Sequence, residues 1–374
     1  MRYTFEFRDL ATNNLLEEAQ LVDARWRRVL NGSETFSATL PISDPLVRGK
    51  APYELTTPAH TTVYAYRDGL PVWGGIIWTR HYDSESKTIS IGAADWWSYF
   101  DHRKLLPLLP GSPGTTGIAP LSVTYANTEQ NQIARNLVTL AQSHTGGDIG
   151  IELDASTSNI NRDRTWWGYQ MASVGEELRR LCSVLDGPDM RFTVGAPSGS
   201  DGKPRRLLLI GDPKLGQDGS PFVFEYGKNI QSYRWPTDGT RMATRTYAIG
   251  DGLEQATPIA VSEDTSKYAL GWPLLESDAS YSTVSSGDVL QEHADSDQLV
   301  SRLPVALPAL RVRGDSDPPY PSWSPGDDAR VLITDEYFTE GLATTMRIIA
   351  DDCAITQAGE TITLTMSPVL EDVV

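Results

Sequence analysis

The first hundred residues alternate between apolar and polar side chains in short runs. The alternation is clear in RYTFEFRD (2–9) and TFSATLPIS (35–43), and it recurs in TVYAYRDG, GGIIWTRHY and KTISIGAAD. Turn-forming residues separate these runs at NGS, RDGLP and DSESK. A period of two predicts strands with one buried face, and short strands at this spacing favour a small barrel or sandwich. We therefore predict a first β-barrel over residues 1–104.

One of these strands begins with two adjacent glycines, Gly74 and Gly75, directly after Trp73. Glycine in a strand interior costs roughly 0.5–1 kcal/mol relative to alanine, because it loses more chain entropy and packs no side chain. Two in a row indicate either that the strand coils sharply there or that a neighbouring group approaches the backbone.

The pattern changes after residue 104. The segment KLLPLLPGSPGTTGIAP (104–120) is typical of a linker. NTEQNQIARNLVTLAQSHTGG (127–147) then has the helical period, and a second helix is predicted from Ser173, which has capping-box spacing to Glu176. MRFTVG and RRLLLIG predict a hairpin. Together these elements predict an α/β domain over residues 105–220.

The remainder returns to strand-like patterning. PFVFEYGKNIQSYRW, RMATRTYAIGDG, DARVLITDEYF, TTMRIIADDCAIT and ETITLTMSP each have strand character. A polar segment that contains the helical pattern SSGDVLQEHADSDQLVSRL interrupts them. We predict a second β-barrel from residues 221–260 and 304–374, with a polar, partly helical insertion over 261–303.

Two segments far apart in the chain resemble each other. Residues 62–92 and 329–366 each contain a strand, an acidic turn, a longer strand, a second turn and an alternating strand. Ile76-Ile77 and Ile348-Ile349 occupy comparable places. Identity is low, so ordinary strand-and-turn patterning explains the similarity as well as a duplication does. The duplication hypothesis predicts two similar but separate barrels, one on each side of the α/β domain.

Composition and charge narrow the functional classes. The 374 residues are 40% hydrophobic and 22% charged, which permits packed domains, and no apolar run reaches the ~18 residues of a membrane span. The N-terminus MRYTFEFRDLATNN lacks the apolar region of a secretion signal, so we expect assembly in a cytoplasm. A net charge of −17 argues against a groove that grips nucleic acid, and it suits a surface that repels a passing polyanion.

The chain has few motifs that indicate catalysis. Neither HExxH nor GxSxG occurs, and the five histidines lack metal-ligand spacing. Paired carboxylates such as Asp327-Asp328 and Asp351-Asp352 are expected in solvated turns. We therefore predict no enzyme activity, no catalytic residue, no cofactor site and no metal site.

Tryptophan pairs are the most unusual local feature. DWWSYFDHR (95–103) and Trp166-Trp167 allow three interpretations: packing between domains, stacking on sugar rings, or a subunit contact. In an extended stretch, adjacent side chains point to opposite faces, so one tryptophan of the first pair would fill the barrel and the other would pack on the neighbouring domain. The predicted domain-junction or subunit-contact residues are Trp73, Gly74, Gly75, Trp96, Trp97, Arg103, Trp166 and Trp167.

Five segments, in this order, resemble the tail-hub or baseplate-hub proteins of tailed bacteriophages, especially minor tail proteins of phages with long non-contractile tails. They are VDARWRRVLNGSETFSATLPISDP, VYAYRDGLPVWGGIIWTRHY, ISIGAADWWSYFDHR, YGKNIQSYRWPTDGTRMATRTYAIGDG and SPGDDARVLITDEYFTEGLATTMRIIADDCAITQAGETITLTMSP. The segments lie at both ends and in the middle of the chain. The α/β domain and the stretch from about residue 259 to 303 carry little of the resemblance.

The resemblance implies a structural virion protein at the tail tip. Hubs of this kind are homotrimers in which two barrels per subunit form a ring of six beneath a hexameric tail tube. The implied partners are the tail tube or distal tail protein, the tape-measure protein, and other tail-tip or receptor-binding proteins, with DNA only in transit. Two alternatives stay open: a carbohydrate-binding host-adsorption protein and a cell-wall hydrolase.

Overall fold

The protein divides into two compact units. The computed structural model describes residues 1–43, 47, 49, 51–109, 117–184, 186–199, 201–219, 221–281 and 287–369. One unit comprises Met1–Tyr233 with Ala309–Val374, and the other comprises Arg234–Pro308. Residues 110–116 of the predicted linker and 282–286 of the predicted insertion lie outside the described residues. The predicted fold class, mainly β with an α/β insert, is confirmed.

The described elements are mostly strands. The strands are β1 (Tyr3–Asp9), β2 (Leu15–Glu18), β3 (Val22–Val29), β4 (Thr35–Pro41), β5 (Thr61–Arg67), β6 (Leu70–Asp83), β7 (Thr88–Ala94), β8 (Ser122–Glu129), β9 (Ile151–Leu153), β10 (Asn161–Trp167), β11 (Met190–Gly195), β12 (Arg205–Ile210), β13 (Phe222–Glu225), β14 (Ile230–Arg234), β15 (Thr237–Asp238), β16 (Arg245–Ile249), β17 (Ile259–Glu263), β18 (Glu276–Ser280), β19 (Val305–Ala306), β20 (Ala309–Val312), β21 (Asp328–Ile333), β22 (Leu342–Thr356) and β23 (Gly359–Pro368). The α-helices are α1 (Pro52–Leu55), α2 (Trp96–Asp101), α3 (Gln130–Ser143), α4 (Val174–Cys182), α5 (Ser266–Ala269) and α6 (Gly287–Ser301).

The first β module contains the N-terminal strands in the order β3-β4-β7-β6-β5-β1, with β2 on the outer side of β1. The sheet curls around an aromatic core in which Phe36 stacks between Trp26 and Trp73, at ring-centroid distances of 6.4 and 4.9 Å. Tyr3 of β1 contacts Trp26 of β3 at 5.7 Å, although these strands lie at opposite ends of the six-strand order. The side chains thus close the module as in a barrel.

The second β module contains β14-β20-β23-β22-β21-β13 in that order. Its core includes Phe224 of β13, whose ring meets that of Trp323 at 6.0 Å. Tyr226, just after β13, contacts Tyr233 of β14 at 5.3 Å, so here too the ends of the strand order come together.

The two modules have the same strand order. When the six strands of each module are numbered along the chain, both sheets follow the order 2-3-6-5-4-1. The long strands β6 and β22 occupy the same place, and each has a bulge, between Ile77 and Thr79 and between Ile348 and Ala350. One detail differs, because β1 pairs antiparallel to β5 whereas β13 pairs parallel to β21. The internal similarity therefore reflects a duplicated fold, with Ile77 equivalent to Ile348, one position away from the alignment expected from the sequence.

The expectation of two separate sheets was wrong. Strand β3 of the first module pairs antiparallel with β22 of the second, from Ala24 opposite Ile355 to Val29 opposite Ala350. This is possible because β22 is long: β21 covers its first part, up to Arg347, and the rest of that edge is open to β3. One hydrogen-bonded sheet therefore runs through both modules.

In the order of the chain, the α/β domain comes between β7 and β13. It contains the sheet β9-β12-β11, the pair β8-β10 and helices α3 and α4. The predicted helices and hairpin are present, and the Ser173 side chain accepts a hydrogen bond from the Glu176 amide, as the capping-box spacing predicts.

In the order of the chain, the second compact unit comes between β14 and β20. Its strand β16 pairs with β17 and β18, and α6 packs on this sheet through Leu290 and Ala294 against Ala248. RMATRTYAIGDG was expected in the second barrel, but it forms β16, so the inserted unit begins at Arg234 rather than at residue 261. The alternating pattern identifies a strand and does not specify its partner. None of the described helices is long and apolar enough to cross a membrane.

Candidate functional site: the joint between the two β modules

A buried ion pair crosses the β3–β22 pairing, which we call the joint. The Nε of Arg28 donates to both carboxylate oxygens of Asp351 at 3.0 Å, and its Nη2 lies 2.8 Å from Oδ2. Both side chains are almost fully buried. Burial by itself lowers the pKa of Arg28, but the Asp351 carboxylate raises that pKa above its usual value. Arg28 therefore stays charged inside the joint.

A loop of the second module enters the first beside this pair. The guanidinium of Arg28 lies 4.9 Å from the ring centroid of Tyr320, and that of Arg67 lies 5.7 Å from it. The Trp26 indole donates to the Tyr320 hydroxyl at 3.1 Å. Arg67 also pairs with Glu360 at 2.9 Å and donates to the Gly314 carbonyl at 3.0 Å. Cation–π contacts and hydrogen bonds thus hold the loop before β21 against β3 and β5.

The α/β domain binds both sides of the joint through Asp189. Asn31, in the β3–β4 turn, donates to Asp189 Oδ1 at 2.7 Å and accepts the Met190 amide at 2.7 Å. Arg347 of β22 donates to Asp189 Oδ2 at 2.5 Å and to the Leu215 carbonyl at 2.7 Å. One carboxylate therefore ties three parts of the chain together, which restricts the angle between the modules.

Two further carboxyls, Glu34 and Asp95, are buried beside the first module. Ser33 donates to Asp95 at 2.8 Å. Burial raises the pKa of Asp95 to about 7, and burial followed by the charge of Asp95 raises the pKa of Glu34. Burial and the neighbouring like charge therefore disfavour ionisation of both carboxyls, whereas the charges of Arg191 and Arg28 favour the ionised form of Glu34.

The glycine pair lies where two neighbours approach β6. A β-carbon on Gly74 would lie 2.6 Å from Cγ1 of Val194, a residue of the α/β domain. A β-carbon on Gly75 would lie 2.2 Å from the Ala94 carbonyl oxygen and 2.5 Å from the Trp73 ring. Close approach therefore explains both glycines, at Gly74 by a neighbouring domain and at Gly75 by the backbone of β7.

Replacing Gly75 with alanine is expected to lower the free energy of unfolding by about 1–3 kcal/mol, because the new methyl group meets backbone that cannot rotate away. Gly32→Ala is the matched control, since its β-carbon would make only ordinary contacts, at 3.5 Å or more. Urea denaturation of both variants measures the difference. If the two variants unfold at the same urea concentration, β6 and β7 can move apart without lowering the free energy of unfolding.

The tryptophan pair Trp96-Trp97 lies in helix α2, so the expectation of an extended stretch was wrong. Both side chains are fully buried in the core that the first module shares with the α/β domain. Trp96 contacts the ring of Tyr64 at 5.6 Å, and Trp97 contacts Phe192 at 5.5 Å. The helical backbone lets both rings reach one core, whereas Trp73 fills the barrel interior.

The remaining predicted residues lie in the α/β domain or at its border. Arg103 donates to the Ala141 carbonyl, near the end of α3, at 3.1 Å, and its guanidinium lies 5.6 Å from the centroid of the Tyr99 ring. Trp166 is buried, and Trp167 is 43% exposed. Of the two tryptophan pairs, only Trp167 thus presents a large surface to solvent.

Sequence reasoning missed the charged residues of the joint. Asp327-Asp328 and Asp351-Asp352 were expected in solvated turns, but Asp327, Asp328 and Asp351 are buried, and Asp351 lies within a strand. The sequence contains a signal that could have indicated a buried ion pair. The carboxylate of Asp351 interrupts the apolar alternation of RIIADDCAIT, and RWRRV places three arginines in another strand. The register in which these two strands pair could not be derived from either segment alone. Among the described residues, no three His, Cys, Asp or Glu side chains are placed to hold a metal ion.

Comparisons with known proteins identify the fold. No family model matches the sequence. No curated protein matches it either. Among solved structures, the 43 kDa tail protein of prophage MuSo2 from Shewanella oneidensis is 12% identical, with a TM-score of 0.63 and 98% of each chain covered.

Two further tail proteins align over nearly the whole chain. The tail protein from Neisseria meningitidis MC58 is 12% identical with a TM-score of 0.60, covering 98% of this chain and 97% of that one. The prophage tail protein gp18 from Listeria monocytogenes EGD-e is 13% identical with a TM-score of 0.52, and the alignment covers 97% of this chain and 94% of that one. At these identities the likeness concerns the fold. From its first strand to its last, the chain has the fold of these tail proteins.

Proposed function

We propose that the chain is a structural protein of a phage tail tip, in which three copies form a hub of six β modules. The observation that carries the proposal is the repeated strand order within one chain. Two equivalent modules per chain convert threefold symmetry into an approximate sixfold arrangement, which suits a junction between a hexameric tube and threefold tip proteins.

The contacts at the joint support this role. Asp189, the Arg28–Asp351 pair and the Tyr320 loop all hold the first module against the second. A ring of six modules needs a constant angle between neighbouring modules. A ring built from heterologous interfaces closes only when every interface rotates one module relative to the next by the same angle. Buried polar contacts on both sides of the joint supply that constraint.

The proposal extends to the surroundings of the hub. Its partners would be the tail tube or distal tail protein above, and tape-measure, tail-tip or receptor-binding proteins around it. DNA would pass through the ring without specific binding, and the net charge of −17 suits a channel that repels the polyanion. The proposal assigns the chain a structural role in the virion and no catalytic one.

The carbohydrate-binding alternative receives less support from the geometry. Sugar stacking needs exposed aromatic faces, but Trp96, Trp97 and Trp166 are all within the core. The proposal for these residues is therefore that they set the position of the α/β domain against the first module.

Sedimentation equilibrium of the purified chain tests the hub directly. We expect a reversible self-association whose limiting mass is three times that of the chain, rising with protein concentration. A chain that stays monomeric up to the highest soluble concentration, or that stops at a dimer, would contradict the proposal.

A further inference from the structure

Five charged side chains are buried together where the first module, the joint and the α/β domain meet, and we call them the buried cluster. They are Arg28 of β3, Glu34 just before β4, Asp95 just before α2, Arg191 of β11 and Asp351 of β22, and none is more than 6% exposed. The Asp95 amide donates to the Glu34 carbonyl at 3.2 Å, which holds these two residues side by side. All three parts of the structure thus contribute charges to one buried region.

Only part of the buried cluster is paired. Arg28 and Asp351 form the ion pair of the joint. By contrast, Oε1 of Glu34, Oδ2 of Asp95 and both Nε and Nη1 of Arg191 are buried and have no hydrogen-bond partner among the described residues. The charges of Glu34 and Arg191 act on each other without a direct hydrogen bond between these atoms. A buried carboxylate without a partner is costly, and a bound proton removes that cost.

The charges of the buried cluster do not balance. Arg191 and Arg28 favour the ionised form of Glu34. Asp95 and Asp351 disfavour it. With every carboxyl ionised, three negative charges face two guanidiniums, so one negative charge is in excess. Protonation of a single carboxyl removes that excess.

Two further carboxyls face the buried cluster and increase the excess. Asp101 of α2 acts on Asp95 and is paired with Arg179 at 2.6 Å. Asp327, just before β21, acts on Arg191 and accepts two backbone amides, at 2.8 and 2.7 Å. Both carboxyls therefore favour a bound proton nearby rather than oppose it.

We propose that Glu34 and Asp95 share one bound proton at neutral pH and below, and that this proton balances the charge of the buried cluster. The site is a proton-binding site made of two carboxyls, and its occupancy links the stability of the fold around the joint to pH. The inference goes beyond the proposed function and does not depend on it, because the whole cluster lies within one chain.

The pKa values of the two carboxyls agree with a shared proton. Burial raises the pKa of Asp95 to about 7, and burial followed by the charge of Asp95 raises the pKa of Glu34. Interacting carboxyls titrate as a pair, so the proton belongs to the pair and not to either residue. An unfolded Asp or Glu has a pKa near ~4, so the folded chain holds a proton that the unfolded chain has released. The contribution of this site to stability therefore falls as the pH rises from about 4 to about 7, and it stays level above that range.

The position of the two carboxyls gives the proton a structural effect. Ser33 donates to Asp95 at 2.8 Å. In the same turn, Asn31 donates to Asp189 of the α/β domain at 2.7 Å. The tryptophan pair of α2 directly follows Asp95 and fills the core shared with that domain. Loss of the proton places an unbalanced charge among these contacts, so the α/β domain should be held less firmly on the first module at alkaline pH.

The experiment measures urea unfolding of the full chain at about pH 5 and about pH 8. A carboxyl that titrates near 7 when folded and near ~4 when unfolded raises the equilibrium constant of unfolding about a hundredfold over this interval. Glu34→Gln and Asp95→Asn each leave two carboxylates opposite two guanidiniums, so each variant should lose this hundredfold change. Glu85→Gln, in the exposed turn between β6 and β7, is the matched control and should keep it.

Infrared spectroscopy detects the proton itself. At about pH 6, where exposed carboxyls are ionised, the wild type should show the carbonyl band of a protonated carboxyl, and this band should disappear above about pH 8. Difference spectra between the wild type and each variant remove the signal of Asp328, whose pKa is also raised by burial.

The outcomes bear on the proposal in different ways. A wild-type spectrum without the band overturns it even if neither variant folds. A change between pH 5 and pH 8 that persists in both Glu34→Gln and Asp95→Asn also overturns it. Loss of the change in only one of the two variants assigns the proton to that residue alone and overturns the sharing, whereas loss in both, together with loss of the band, supports it.

Discussion

Asp351→Asn is expected to lower the free energy of unfolding by about 3–5 kcal/mol, because it leaves the guanidinium of Arg28 buried without its counter-charge. The two side chains are buried, and three donor–acceptor contacts of 2.8–3.0 Å join them. The Arg28 side chain is only 6% exposed, so water can replace little of the lost pair. Chemical denaturation followed by circular dichroism measures the change.

Asp352→Asn is the matched control on the same strand. Its partners Arg25 and Arg27 have side chains that are 63% and 45% exposed, so its loss should cost no more than about 1 kcal/mol. The double variant Arg28→Met/Asp351→Leu removes both charges and should recover much of the lost stability. Equal effects of the two single asparagine variants would show that the joint is hydrated and that the buried pair contributes little.

Trp97→Ala is expected to destabilise the protein by about 3–5 kcal/mol, the range for removing a large aromatic side chain from a core. Trp97 is fully buried, its indole donates to the Gly175 carbonyl at 3.0 Å, and its ring meets Phe192 at 5.5 Å. Removing it leaves a cavity between the first module and the α/β domain and an unpaired carbonyl.

Trp167→Ala is the control for this experiment, since the side chain is 43% exposed and should change stability by about 0.5 kcal/mol or less. Thermal unfolding of the two variants gives the comparison. A small effect of Trp97→Ala would mean that the α/β domain does not depend on helix α2 for its position, and a large effect of Trp167→Ala would reveal packing that its exposure does not suggest.

The local pattern of apolar and polar residues was sufficient to predict many of the strands and helices. The alternation in RYTFEFRD and TFSATLPIS corresponds to β1 and β4, and the helical period after residue 129 corresponds to α3. These segments have one buried face, so the period of their apolar residues follows directly from the secondary structure.

Helix α2 shows where local patterning is insufficient. DWWSYF is short and four of its six residues are aromatic, so neither a period of two nor one of 3.6 can be read from it. The helix exists because Trp96, Trp97 and Phe100 all enter one core, which is a tertiary effect.

The joint was beyond sequence reasoning for a different reason. The pairing of β3 with β22 connects residues more than 300 positions apart, and its register depends on the length of β22 beyond β21. A carboxylate such as Asp351 next to a hydrophilic neighbour resembles a turn residue until its partner, Arg28, is known. Long-range pairings of polar groups are therefore the part of the site that requires the structure.

Cryo-electron microscopy of the particle tail tip tests the central claim most directly. The account predicts three copies of this chain that form a ring of six β modules at one level along the tail axis. A tip in which the two modules of a chain lie at different levels along the tail axis, or in which the copies do not form a closed ring, would contradict it.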